Sequence, residues 1–471
     1  MADFDYDSAN ERFLQLEDDL GLFDIRVDGV AVWERLRNQV SNQIVADLGF
    51  VSTPNELGVG SDGPSLQTCV RNSVLMNPFF AMGQCDVFLY SHGRRKCLDD
   101  GYWWDLVIDP VAEELELPAL CMENYGDSAH AMPAKTERLT YKDVISCVTG
   151  LGKRLSGVWN PLTDQGRRRI EYVEHEIKDV FDTDLDLVTE VEQELIARRI
   201  RLTLYRTLLS RLDPKVVVVW TRPHTLVEAA QSLDIPVVEL QHGMIYRYNF
   251  DYHFPGDRDA PTFADYLFTF GDYWCDAVDY PIPETHIIPT GYAYTEMVLE
   301  QYRGSATQTD DIVFISQPYV GEKLSQFAVE FASLVDGRQV TYKLHPREYG
   351  DWRQQYPWLT NGDLQVIDTE EPELYELLAN ANTQVGVSST ALYEGTLFDT
   401  ATYLVDLPRV STMEYFHQAG VPVVDSPRDL LTSIDNNANM IPDSEPLFIS
   451  NPTDKTVDML RAVVTDSSLG V

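Results

Sequence analysis

The chain of 471 residues is too long for one ordinary hydrophobic core, so two or three domains are expected. Its 44% hydrophobic and 11% aromatic content is that of a folded protein and excludes a disordered one. A net charge of −39, from 75 acidic against 36 basic residues spread along the chain, excludes a general nucleic-acid binder, which needs a basic surface.

Only nine of the cations are lysines. An acidic, Lys-poor surface over a normal core points to adaptation to high salt, where dense carboxylates stay hydrated and their repulsion is screened. The six cysteines, Cys69, Cys85, Cys97, Cys121, Cys147 and Cys275, are scattered without a CxxC, and are expected to be reduced core thiols. The N-terminus is acidic and has no apolar signal-peptide core, and no apolar run is long enough to span a bilayer. The expectation is a cytoplasmic protein. Peripheral association at the inner face of the membrane is left open, although no basic amphipathic run argues for it.

Residues 1–75 read as a helical preface. Apolar positions Val32, Trp33, Leu36, Val40, Ile44 and Leu48 recur at helical spacing, with Trp33 facing the core and Arg35 and Arg37 in solvent. Residues 54–64 are rich in Gly and Pro and read as a loop. An α/β pattern begins with a strand at 85–90 that empties into Ser91-His92-Gly93-Arg94-Arg95-Lys96. Three cations in a row, in so acidic a chain, suggest an anion nearby. A second strand is expected at 117–123, then helices at 139–155, 167–182 and 185–212. Val216–Val219 and Trp220 form an apolar strand of the doubly buried, parallel kind. A helix at 224–233 and a strand at 237–240 follow. That strand ends in Gln241-His242-Gly243, where Gly243 allows a tight turn. The polar and aromatic loop after it holds Tyr246, Arg247, Tyr248, Asp251, Tyr252 and His253, a composition suited to sugars. Strands at 264–270 and 287–289 close the first half, and 301–310 is the linker candidate.

A second α/β unit follows. A strand at 311–315 ends at Ser316-Gln317-Pro318, and a helix at 322–334 leads to a strand at 339–344. That strand runs into Lys343-Leu344-His345-Pro346-Arg347-Glu348. A helix at 349–358, a strand at 364–367 and a helix at 371–380 come next. The strand at 383–387 runs into Ser388-Ser389-Thr390 and a helix carrying Glu394. A last strand is expected at 402–405 and a helix at 454–464. Two successive α/β halves predict two Rossmann-like domains facing across a cleft. The expected bounds are 1–300, 301–450, and a tail at 451–471 that can pack back on the first domain.

The two loops of the second unit carry the chemistry. Ser and Thr after a strand are strong helix caps, and a helix starting there presents free N–H groups to a phosphate. Glu394, a turn further on, can reach ribose hydroxyls. Pro346 holds His345 extended at the strand mouth, where an imidazole can donate to phosphate or protonate a leaving group. Arg347 offers a bidentate fork to phosphate. Each loop alone is also compatible with plain capping. Together, about 40 residues apart and each closing a strand, they predict one donor-nucleotide site made of Gln317, Lys343, His345, Arg347, Ser388, Ser389, Thr390 and Glu394. Walker A, GxGxxG, HExxH, DFG and GxSxG motifs are not found, which removes the common NTPase, kinase, dehydrogenase, zincin and hydrolase readings.

The His-Pro loop, the Ser-Ser-Thr loop with its Glu, and Gln241-His242-Gly243 together resemble two-domain, GT-B-type glycosyltransferases of surface and capsule polysaccharide synthesis. That group includes sialyltransferase-like enzymes and the glycerophosphotransferases of teichoic acid synthesis, and the charge balance suggests a haloarchaeal member. The segment from Asp28 to Trp33 and the loop Ser91 to Arg95 resemble the N-terminal part of such proteins, so the likeness spans roughly 28–430. The resemblance implies a donor nucleotide bound by His345, Pro346, Ser388, Ser389 and Thr390, and an acceptor bound on the first domain. The expected acceptor-side residues are His92, Arg94, Arg95, Gln241, His242 and Gly243. The expected catalytic groups are His345, Asp251 and His242. Asp272 and Glu239 are further candidates for the base. The expected activity is metal-independent, inverting transfer of a sugar from a nucleotide-activated donor to a glycan or lipid-linked acceptor. No cofactor is expected, since the nucleotide-sugar is a substrate. A polyol-phosphate transferase of the CDP-glycerol type, a nucleotide-sugar epimerase of the same fold, and a non-catalytic nucleotide-sugar-binding protein are the alternatives.

Overall fold

The computed structural model describes residues 4–50, 66–125, 129–155, 161–303, 309–436 and 441–465. The loop expected at 54–64 and the centre of the expected linker, 304–308, lie outside the described residues.

Two parallel sheets carry the fold. The first has seven strands: Val87–Ser91 (β1), Ala119–Glu123 (β2), Leu139–Tyr141 (β3), Val216–Val219 (β4), Val237–Leu240 (β5), Tyr266–Thr269 (β6) and Ile287–Pro289 (β7). Their spatial order is β3-β2-β1-β4-β5-β6-β7. The second sheet has six: Thr309–Ile315 (β8), Val340–Lys343 (β9), Gln365–Ile367 (β10), Ala381–Gly386 (β11), Ala401–Val405 (β12) and Val423–Val424 (β13). Their order is β10-β9-β8-β11-β12-β13. Each sheet therefore starts in its middle, winds outward to one edge, and then returns to build the other side. The reversal leaves a crevice beyond the carboxyl ends of the first and fourth strands, which is where open α/β sheets bind ligands. Those strand ends are β1 and β4 in the first domain, and β8 and β11 in the second. The four valines of β4 are wholly buried, as a strand covered on both faces requires.

The helical preface consists of Tyr6–Asp19 (α1) and Val32–Asp47 (α2), followed in chain order by Leu66–Leu75 (α3), Asp143–Leu155 (α4), Asp164–Phe181 (α5) and Leu187–Leu212 (α6). α1 starts at a reciprocal cap: Asp5 accepts from the Ser8 amide at 2.7 Å, and Ser8 Oγ accepts from the Asp5 amide at 3.0 Å. Phe13, Trp33, Ile177 and Phe181 join α1, α2 and α5 in one apolar cluster. Trp33 is buried as expected, but the arginines beside it are not solvated. Arg37 is wholly buried, paired with Glu17 at 2.7 Å, and donates to the carbonyls of Phe250 and His253. Arg35 pairs with Glu194 and Glu228. A buried guanidinium with five donors can tie three segments together where an apolar side chain could tie none.

Three other expectations change. The helix at 139–155 divides into strand β3 and α4, because Leu139 to Tyr141 extend the sheet beside β2 before the helix begins at Asp143. The helix at 349–358 is broken into short turns between Pro346 and Asn361. Cys69 and Cys147 are joined by a disulfide that ties α3 to α4, whereas Cys85, Cys97, Cys121 and Cys275 are free.

The chain returns to the first domain at its end. The helix Pro452–Thr465 packs on Asp109–Glu114, with Arg461 donating to the carbonyl of Glu114 at 3.0 Å. The segment before it lies across Gly271, where an added Cβ would stand 2.5 Å from Leu447 backbone atoms. One apolar cluster runs from β1 and β4 through Phe270 and Trp274 to Leu392, Tyr393 and Phe416, so the two domains share a core. No helix among the described residues is long and apolar enough to cross a membrane.

Candidate active site in the interdomain cleft

The loops after β5 and β11 meet. The Met244 amide, just after Gln241-His242-Gly243, donates to Thr390 Oγ1 at 3.0 Å, and a Cβ on Gly243 would lie 3.4 Å from that hydroxyl. Further contacts close the cleft at its ends: Lys96 with Glu373 at 2.7 Å, Tyr302 OH with Glu373 at 2.7 Å, Arg409 with Tyr246 OH at 2.8 Å, and Ser411 with Asp7 at 2.6 Å.

On the second domain, Ser389 caps the helix Thr390–Gly395 by accepting from the Ala391 amide, and also accepts from Gln317 Nε2 at 2.8 Å. Ser388 shares a hydrogen bond of 2.7 Å with Thr412. The hydroxyls of both serines are thus engaged in shaping the loop. The helix is only six residues long, so its dipole is slight, and the side chains around it carry most of the polarity. Glu394 is buried and accepts from Tyr375 OH at 2.7 Å; burial raises its carboxyl above the usual range, against the pull of Tyr375 and Arg94.

His345 is fixed by its own cap. Its amide donates to Glu348 at 2.8 Å, and its Nδ1 accepts from the Arg347 amide at 3.2 Å. With Nδ1 accepting, the proton of the neutral ring sits on Nε2, leaving that atom as a donor. Burial, helped by the charges of Arg347 and Arg94, lowers this imidazole to about 4, so it is neutral at physiological pH. Arg347 itself is exposed beside it. Lys343 turns away, donating to the carbonyls of Thr369 and Pro372.

On the first domain, β1 ends in His92 and Arg94, β4 in Trp220, Thr221 and Arg222, and β5 in His242. The rings of His92, Trp220 and His242 stand in a row, with centroids 5.5 and 5.4 Å apart. Burial lowers His92 to about 3 and His242 to about 4; Lys142 and His242 add to the first shift, Arg94 and Arg222 to the second. Behind His242, Tyr252 OH lies 3.5 Å from its Nδ1 and donates to Glu239 at 2.6 Å, and Glu239 is paired with Arg222 at 2.9 Å. Glu239 is therefore committed inside the domain. Trp220 Nε1 and Thr221 Oγ1 are buried, with no hydrogen-bond partner among the described residues.

Arg94 is the centre of the arrangement. Its charge interacts with Tyr292 and Tyr294 of its own domain, with Tyr375 and Glu394 of the second, and with both His242 and His345. Although it lies deep between the domains, its side chain is open to solvent, and no hydrogen bond or ion pair holds its guanidinium among the described residues. Burial works against its charge, and the surrounding phenols and Glu394 outweigh that.

The remaining expected residues are placed elsewhere. Arg95, next to Arg94, faces inward and pairs with Glu123 and Asp109, its side chain 1% exposed. Both ends of the Gln241 amide are occupied, by the carbonyl of Gly243 and the amide of Phe270, so it braces the loop. Asp251 accepts from Asn38 at 2.6 Å, on the side of the helical preface. Asp272 is exposed. Among the described residues no three His, Cys, Asp or Glu side chains gather as a metal-ligand set.

Four cleft-wall residues escaped sequence reasoning: Trp220, Thr221, Tyr292 and Arg409. Arg409 stacks on Tyr319 with its guanidinium carbon 4.3 Å from the ring centroid, and its buried Nε has no hydrogen-bond partner among the described residues. The available signal was the polar Thr221-Arg222 following a purely apolar strand, at the turn where the winding of the sheet reverses.

No family model matches the chain, and no curated protein matches it. Among solved structures it is similar to the UDP-GlcNAc 2-epimerase of Methanocaldococcus jannaschii, at 13% identity over 80% of this chain and 99% of that one, with a TM-score of 0.45. The enzyme of the same name from Neisseria meningitidis gives 11% identity, 80% and 99% coverage, and a TM-score of 0.47. The wall teichoic acid polymerase TagF gives 9% identity, 92% and 97% coverage, and a TM-score of 0.44. The two outward-winding parallel sheets, set against each other across one cleft, make this chain an α/β protein of two Rossmann-like domains in the GT-B arrangement.

Proposed function

We propose that the cleft binds a nucleotide-activated sugar and transfers the sugar to a glycan or lipid-linked acceptor, as a metal-independent, inverting glycosyltransferase of cell-surface polysaccharide or glycoprotein glycan synthesis. The observation that supports this most is the Arg94 guanidinium, unpaired among the described residues and solvent-open in the crevice where the first domain faces His345 and Glu394. An arginine so placed attracts a diphosphate or phosphate ester. In the proposed step the bond between the sugar C1 and the phosphate oxygen breaks as the acceptor oxygen attacks C1 from the opposite face. Negative charge gathers on the departing nucleotide phosphate, where Arg94 and the His345 Nε2–H neutralise it. The acceptor proton passes to the His242 imidazole, which is neutral and available as a base. Gln317, Ser388, Ser389 and Thr390 shape the pocket wall around the donor phosphate.

The test is a thermal-shift screen of CMP, CDP, UDP, GDP and their sugar esters in concentrated KCl. One nucleotide class is expected to raise the unfolding midpoint, and Arg94→Gln to weaken its binding by roughly 30-fold or more, the loss of a charged hydrogen-bond pair. A response to no nucleotide defeats the proposal. An epimerase of the same fold draws on the same neutral imidazoles and the raised Glu394, which form an acid–base set. It would interconvert sugar epimers with no acceptor present. A CDP-glycerol-type transferase would release CMP, and a pure binding protein would turn nothing over.

A further inference from the structure

One face of the first domain has a composition opposite to the rest of the chain. α3, α4 and α6 lie side by side on it, with α4 in the middle and the Cys69–Cys147 bond joining α3 to α4. Eight of the thirteen exposed large apolar side chains among the described residues fall within 70–82 and 148–155. Val74, Leu75, Phe80, Met82, Leu151 and Leu155 are each 59–83% exposed. Between α4 and α6 an open groove of about 510 Å³ continues the patch, lined by Val148, Ile196, Ile200 and Leu204 beside Arg199. Gly152 lets the two helices approach, since a Cβ there would fall 2.1 Å from Ile200 Cδ1.

The charge on these segments is reversed. Residues 66–82, 142–155 and 196–212 hold nine of the 36 cations of the chain and one of its 75 acids, although the start of α6 carries Glu190, Glu192 and Glu194, and Arg198 and Arg201 are paired with Glu228 and Glu194. That acid, Asp143, is buried and bonded to His130 at 2.8 Å. A contiguous exposed apolar patch marks an interaction surface. Cations around it, on a protein of net charge −39, select an anionic occupant. A symmetric pairing of two copies through this face would bring like-charged arginines together, which disfavours it.

We propose that this face docks on an anionic lipid bilayer. The exposed apolar side chains enter the boundary between headgroups and acyl chains, and the exposed arginines around them, Arg71, Arg154, Arg199, Arg206 and Arg211, meet the lipid phosphates. The proposal does not depend on the reaction assigned to the cleft.

Co-sedimentation of the full-length protein with phosphatidylglycerol or phosphatidylcholine vesicles tests it. Strong partitioning is expected on phosphatidylglycerol, about tenfold weaker on phosphatidylcholine. Phe80→Gln/Leu151→Gln is expected to cut the phosphatidylglycerol partition coefficient by about tenfold, at an unchanged unfolding midpoint. Arg71→Glu/Arg154→Glu, which alters only exposed side chains, is expected to do the same at low KCl and much less at high KCl. No sedimentation with either vesicle, or variants that partition like the wild type, would overturn the proposal. So would a dimer in solution that Phe80→Gln/Leu151→Gln dissolves, since the face would then belong to a second copy.

Discussion

Three histidines at the cleft, and one outside it, respond to pH in opposite directions. His242 and His345 are each held near 4, so both stay neutral from physiological pH down to about pH 5. If His242 takes the acceptor proton, kcat/KM should be flat over that range and fall about tenfold per pH unit below about 4. The same burial disfavours protonation in the fold, whereas the unfolded imidazole takes up a proton below 6.5. Stability is therefore lost as pH falls below 6.5, and the profile must be read beside unfolding midpoints. His130 is the reverse case. Burial opposes its charge, but hydrogen bonds to Asp143 at 2.8 Å and Glu123 at 2.6 Å prevail and raise it above 6.5. Its contribution to stability is complete below pH 6.5 and disappears as pH rises through the raised value. His130→Gln should destabilise at pH 6 by about 1–3 kcal/mol and by less at pH 9, read from urea denaturation at the two pH values. The sequence pointed to His92, Arg94, His242, His345 and Glu394, because each follows an apolar strand that can be recognised by itself. It could not separate Arg94 from Arg95, since which of two adjacent cations faces the cleft depends on the carboxylates of Glu123 and Asp109, which come from elsewhere in the chain.

At the level of elements, the strands that build both switch points were legible as short apolar runs bounded by turn residues. Where the helix at 139–155 was misread, the sheet had overruled local periodicity. Leu139 to Tyr141 sit at helical spacing with α4 yet pair with β2. Close approaches of backbone to side chain were equally hidden. Gly395, on the helix carrying Glu394, is one: a Cβ there would stand 2.0 Å from Gln384 Oε1, and Gln384 is already bound to the Leu392 carbonyl at 2.8 Å and to Thr402 at 2.9 Å. Gly395→Ala should lower unfolding stability by about 1–3 kcal/mol through overpacking, measured by chemical denaturation. It should also weaken nucleotide binding, because the helix that carries Glu394 and Thr390 must shift.

For the whole molecule, the charge balance predicts a dependence on salt. With 75 acidic and 36 basic residues, repulsion in the compact state should be relieved by salt, so the unfolding midpoint is expected to rise by roughly 5 °C or more from low to molar KCl. A midpoint independent of KCl would refute the high-salt reading. The order of the domains followed from two successive α/β patterns, and a tail able to pack back on the first domain belonged to the same reading; its particular contacts there, with Leu115 and Glu114, were not legible because those residues lie hundreds of positions earlier. That return has a mechanical consequence. The chain passes from the first domain to the second after Arg303 and comes back beyond Asn436, so the domains are joined covalently at two places. Two crossings and a shared core tether the domains to each other more tightly than a single linker would.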